Sequence, residues 1–126
     1  MTLFDTDVII WALRDHQKAL NTVDAAPDRA ISAVSYMELV RGAKNAQDSL
    51  SIRKFVRMGG FQVLPVTESI TAKAVSMMEA LSLSNGIGPM DALVFATALD
   101  GEHILCSANY KHFKDVPGLR ARRFQP

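Results

Sequence analysis

The chain has 126 residues, 48% of them apolar and 21% charged, with a formal net charge of +1. That length and mixture suit one compact domain over residues 1–126, and five prolines and seven glycines are too few for a disordered or collagen-like chain. Cys106 is the only cysteine, which excludes an intrachain disulfide and a thiolate metal cluster. The longest apolar run, Val8 to Leu13, falls far short of the ~20 residues that cross a bilayer. No basic stretch or small-residue cleavage site accompanies it, so no membrane span and a cytoplasmic location are expected.

The near-neutral total hides an asymmetry. Residues 1–28 carry five acids against Arg14 and Lys18. Residues 41–57 carry Arg41, Lys44, Arg53, Lys54 and Arg57 against Asp48, and residues 103–126 carry Lys111, Lys114, Arg120, Arg122 and Arg123 against Asp115. Two basic stretches beside a more acidic remainder can attract a polyanion through the local field. Solvated helix and strand faces would give the same pattern.

In chain order, Leu3-Phe4 reads as a short buried strand ended by Asp5-Thr6-Asp7. Val8 to Leu13 follows as a buried helix capped by Thr6 or Asp7. Ala30 to Val34 is a second strand, and Ser35 starts a helix carrying Met37, Leu39, Val40 and Ala43. Ile52, Phe55 and Val56 form a helical stripe that stops at Gly59-Gly60. Phe61 to Val66 reads as a third strand, with Pro65 marking an edge or a terminus. Thr67 caps a long helix whose apolar residues, Ile70, Ala74, Met77, Met78 and Leu81, repeat in steps of three and four until Asn85-Gly86. Another apolar helix runs from Asp91 to Leu99, His103 to Ser107 is a fourth strand, and Leu119 to Phe124 a fifth. This alternation predicts an α/β fold, a mostly parallel sheet covered by helices on both faces.

In such sheets the binding crevice lies beyond the carboxyl ends of the strands. Asp5 ends the first strand, Glu38 lies in the first turn of the helix after the second, Asp91 opens the helix after Pro89, and Asn109 follows the fourth strand. Converging carboxylates suit a hard cation such as Mg²⁺ or Mn²⁺. Each acid also has a plainer explanation. Glu38 closes a capping box, Ser35-Tyr36-Met37-Glu38, and Asp91 favours a helix N-terminus. Asp5 is harder to dismiss, because a carboxylate at a buried strand end needs a partner. Asp7 is assigned to capping, and His16, His103 and His112, which lack ligand spacing, to the surface.

Four stretches in order change the odds. Leu3-Phe4-Asp5-Thr6-Asp7-Val8-Ile9-Ile10, Ser35-Tyr36-Met37-Glu38-Leu39-Val40-Arg41-Gly42, Met90-Asp91-Ala92-Leu93-Val94-Phe95-Ala96-Thr97-Ala98 and Leu105-Cys106-Ser107-Ala108-Asn109 with His112-Phe113 resemble the PIN-domain family. Within it the chain is most similar to the ribonuclease toxins of VapBC-type toxin–antitoxin pairs. The resemblance implies a three-layer α/β/α sandwich and a metal-dependent endoribonuclease using Mg²⁺ or Mn²⁺. Asp5, Glu38 and Asp91 match the family's principal acids. Asn109 stands where many members carry a fourth, and Asp7 replaces a frequent asparagine. Asp5 and Asp91 are then the main metal ligands, with Glu38 a ligand or water-orienter. Arg41, Lys44, Lys111 and Lys114 are candidate contacts to RNA phosphates. A cognate antitoxin and a homodimer, with Leu81 and Leu83 as possible contacts, are the implied partners.

Three alternatives stand beside this reading. A catalytically weak PIN relative would bind RNA or a partner without cutting, and Asn109 keeps that open. A nuclease acting on DNA, or one processing ribosomal RNA, would use the same acids. A receiver-type signalling domain shares the length and the α/β order, but would need an acceptor Asp after its third strand and a Lys after its fifth.

Overall fold

The computed structural model describes residues 1–126. Five strands, β1 (Thr2–Phe4), β2 (Arg29–Ser32), β3 (Phe61–Leu64), β4 (Ile104–Ser107) and β5 (Ala121–Arg123), form a parallel sheet in the order β3-β2-β1-β4-β5. Seven helices connect them: α1 (Thr6–Leu13), α2 (Gln17–Ala25), α3 (Ala33–Arg41), α4 (Ala46–Met58), α5 (Glu68–Asn85), α6 (Pro89–Asp100) and α7 (Tyr110–Phe113). The α/β class and parallel sheet expected from the alternation are found.

Side-chain alternation along each strand builds the layers. Leu3 lies in register with Ala30 and Leu105, and all three face the layer containing Ile70, Ala74 and Met77 of α5 and Phe95 of α6. Their neighbours Phe4, Ile31 and Cys106 face the opposite way, onto Val8, Ile9 and Ala12 of α1 and Ile52 and Val56 of α4. Both faces are therefore apolar, as a parallel sheet between helices requires. Phe4 and Phe95 are wholly buried, each a side chain whose burial is worth about 1.5–3 kcal/mol.

Several boundaries differ from expectation. α1 begins at Thr6 with Asp5 as its N-cap, so neither Thr6 nor Asp7 caps it. β2 stops at Ser32, whose hydroxyl accepts from the Val34 N–H and caps α3. The Ser35–Glu38 capping box does not form: Ser35 is buried inside α3 with its hydroxyl unpartnered. Glu38 consequently stands in the second turn of α3, free of a capping duty. β3 is an edge strand, as Pro65 suggested, and Gly86, at φ 77°, ends α5 in the left-handed region where glycine is unstrained. The sheet order also differs from the 2-1-3-4-5 order of receiver domains.

Candidate active site

The strand order reverses between β1 and β4. β1 has β2 on one side and β4 on the other, and the connections that leave their carboxyl ends diverge, which opens a crevice there. Asp5 follows β1, Asn109 follows β4, Asp91 is the third residue of α6, and Glu38 lies on α3. All four line one open polar cavity of about 450 Å³, together with Thr6, Asp7, Ile10 and Ala108.

Asp5 is 7% exposed and held at both oxygens. Oδ1 accepts from the Thr6 N–H at 2.8 Å and Oδ2 from the Ser107 hydroxyl at 2.7 Å. Ser107 is itself wholly buried, and its oxygen accepts from the Asn109 N–H at 3.0 Å, so one side chain joins β4, Asp5 and the start of α7. Across the cavity, Asp91 Oδ2 accepts from Asn109 Nδ2 at 3.1 Å and faces His112 Nδ1 at 3.0 Å. Glu38 is exposed at the cavity wall.

The carboxylates disturb one another. Burial raises the pKa of Asp5, opposed by the Ser107 and Thr6 hydrogen bonds and reinforced by Asp91. Asp7 is pushed up to about 6, first by burial and then by the charge of Asp5. Partial desolvation against the cavity wall, then the charges of Asp5 and Asp91, raise the pKa of Glu38, with Arg41 acting the other way. No lysine or arginine forms an ion pair with any of these acids. Such a cluster has the donor chemistry for a hard divalent cation. No three acidic, histidine or cysteine side chains converge on one point. Mg²⁺ characteristically takes only one or two carboxylates and completes its shell with water and phosphate oxygens, so the residues present fit it on those terms.

Two residues at the site differ from their sequence assignment. Asp7 is no cap: Oδ2 accepts from the Ala108 N–H at 3.1 Å, and Oδ1 is buried without a partner. His112 belongs to the site rather than the open surface, since its ring meets Asp91. Its place three residues after Asn109, one helical turn on, was the legible clue. His16 also has a local role, accepting from the Ala19 N–H at the start of α2. Among the basic candidates, Arg41, Lys44, Lys111 and Lys114 are all exposed. Lys44 and Arg14 border a second cleft of about 360 Å³, between α1 and α3–α4, which shares Ile10 and Glu38 with the carboxylate cavity. Asp115 is turned away, its Oδ2 accepting from Asn85 Nδ2 at 2.8 Å.

Fold and crevice together define an α/β protein with an acidic site at its topological switch point. The PIN domain model matches residues 2–119, and the chain belongs to that family. The solved structures agree. A VapBC2 complex from Rickettsia felis bound to a promoter DNA fragment matches with a TM-score of 0.85 at 22% identity, covering 98% of each chain. A toxin–antitoxin complex from Klebsiella pneumoniae matches at 0.76 and 28% identity, covering 94% of this chain and 95% of that one. A Mycobacterium tuberculosis toxin described as cleaving the sarcin–ricin loop matches at 0.63 and 15% identity, over 83% and 87%. No curated protein sequence matches the chain.

Proposed function

We propose that the protein is a metal-dependent endoribonuclease, the toxin of a toxin–antitoxin pair. The observation that carries this reading is the gathering of Asp5, Glu38 and Asp91 with Asn109 around one open cavity, where the charge of Asp91 helps to raise the pKa of both Asp5 and Glu38. Its support is membership of the PIN family and likeness to toxins solved in toxin–antitoxin complexes. Mg²⁺ or Mn²⁺ would be held by Asp5 and Asp91, with Glu38 as ligand or water-orienter. When bound, the ion lowers the pKa of a water and neutralises charge on a phosphodiester.

The chain's own groups supply the rest. The Ser107 and Thr6 donors fix Asp5 in one orientation, and Asn109 does the same for Asp91. Glu38, at the cavity wall, would coordinate the ion or orient the attacking water. Arg41, Lys44, Lys111 and Lys114 stand ready for RNA phosphates. With few aromatic side chains, 7% of the chain, RNA shape should guide target choice as much as base stacking. The cleft beside Glu38 has an apolar floor of Ile10, Leu13, Leu39 and Ile52 and suits an antitoxin segment that sends a basic side chain to the acids. Leu83, fully exposed on α5, is a candidate homodimer contact, whereas Leu81 packs against the core. A protein that acts on RNA and is held in check by an antitoxin would work in the cytoplasm.

The test is incubation with total cellular RNA, with Mn²⁺ or Mg²⁺ and then with chelator, beside Asp5→Asn and Asp91→Asn. Discrete fragments that need the metal and both acids are expected. The neutral Asn109 favours one other reading, a PIN domain that binds RNA without cutting it. RNA binding without metal uptake or fragments would select that reading.

A further inference from the structure

One buried amide takes no part in the proposed reaction. Asn85, the last residue of α5, is 9% exposed. Its Nδ2 lies 3.2 Å from the Lys111 carbonyl, 3.3 Å from the His112 carbonyl and 2.8 Å from Asp115 Oδ2. Its Oδ1 is buried with no partner. An orphaned buried acceptor carries a desolvation cost, and every hydrogen bond of the side chain goes to the segment around α7.

That segment is a single helical turn, four residues long, too short to satisfy its own last carbonyls. Asn85 Nδ2 has two N–H groups for three acceptors, so beside its short bond to Asp115 Oδ2 it reaches two of those carbonyls through longer, shared contacts. His112 is held at both ends: its carbonyl accepts from Asn85 and its ring meets Asp91. Asn109, the N-cap of the same turn, donates to the same Asp91 oxygen. Buried Phe113 and Val116 anchor the turn in the core cluster that also holds Ile87, and Ser107 holds its start, so the Asn85 amide is the side-chain clasp on the turn's carbonyl end.

We propose that Asn85 is a positioning residue for the carboxylate site: by clasping α7 it sets the angle at which Asn109 and His112 hold Asp91. The proposal rests on the nuclease reading for its consequence in catalysis, and on the hydrogen-bond geometry alone for the coupling. Asn85→Asp removes the donor at almost constant size, and Asn85→Gln keeps an amide donor.

The first readout needs no activity. In the ¹H–¹⁵N spectrum of the intact chain, Asn85→Asp should shift the Asn109 side-chain amide resonance while leaving that of distant Asn45 in place, and Asn85→Gln should return it toward its original position. The second is Mn²⁺ affinity by calorimetry, expected to weaken about tenfold in Asn85→Asp. Turnover should fall by a similar factor with KM for RNA unchanged. An unmoved Asn109 resonance together with wild-type Mn²⁺ affinity would overturn the proposal. If the wild type neither binds Mn²⁺ nor cleaves RNA, the nuclease reading fails, while the resonance shift still decides the coupling. If Asn85→Asp does not fold, Asn85→Ser takes its place. Failure of both to fold would make Asn85 a stability residue and overturn the proposal as well.

Discussion

Asp7→Asn should stabilise the protein at neutral pH in the presence of chelator. Asp7 sits beside Asp5, accepts one backbone hydrogen bond and leaves Oδ1 buried without a partner. Its pKa rises from 3.8 to about 6, chiefly through burial. An acid whose pKa is higher in the folded state binds its proton more tightly there, so stability falls as pH climbs from near 4 through 6. At 1.36 kcal/mol per unit the cost has a ceiling of about 3 kcal/mol. Incomplete burial and coupling to Asp5 bring the working figure to about 1–2 kcal/mol. An asparagine can still accept from the Ala108 N–H and carries no charge. The melting temperature at pH 7 should therefore rise by about 4–8 °C, and the gain should shrink toward zero at pH 4. Thermal melts of both proteins from pH 4 to 8 make the comparison. A variant no more stable than wild type at pH 7, with the same slope against pH, would refute the assignment. Repeating the series with Mn²⁺ should narrow the gap between the two proteins, because the cation relieves the same repulsion.

Other expectations follow from the same geometry. Ser107→Ala removes the hydroxyl that holds Asp5 Oδ2; Mn²⁺ binding should weaken several-fold by calorimetry while the buried site tolerates the smaller side chain. Asn109→Asp would set a carboxylate about 3 Å from Asp91, so it should lower stability in chelator and tighten Mn²⁺, and an unchanged titration would count against a metal-facing position. Arg41→Ala should flatten the dependence of RNA binding on salt by about one unit of the log–log slope. Cys106, buried and with its thiol pushed up to about 11, should resist thiol reagents in the folded protein and react fully on unfolding.

The sequence was most readable where apolar period and punctuation agreed. α5 could be placed from its stripe, its Thr67 cap and the Gly86 stop, and Asp5, Asp91 and Asn109 from their positions at strand ends and helix starts. It was least readable where small or atypical residues did the work. α2 buries only Ala19 and Val23 and is capped by a histidine, so neither its stripe nor its start stands out. At α3 two serines compete for the cap. The winner, Ser32, is set by where the parallel register with β3 ends, at Ser32 opposite Leu64, which no local pattern reveals. α7 is one turn, below any periodicity, so nothing in the apolar pattern around His112 separates it from a surface residue. Nothing near Asp7 in sequence marks it as more than a cap, because its surroundings come from Ala108, about a hundred positions away.

That separation also bears on how the protein is born. β1 is the first strand made and the centre of the sheet, yet its partner β4 and the Ser107 hydroxyl that orients Asp5 come from the last quarter of the chain. Pairings so distant close slowly. A ribosome still extending this polypeptide therefore carries only half a crevice. The acidic crevice is thus a late feature of folding: the β1–β2–β3 half can pair early, but Asp5 gains its fixed orientation only once β4 has docked beside β1.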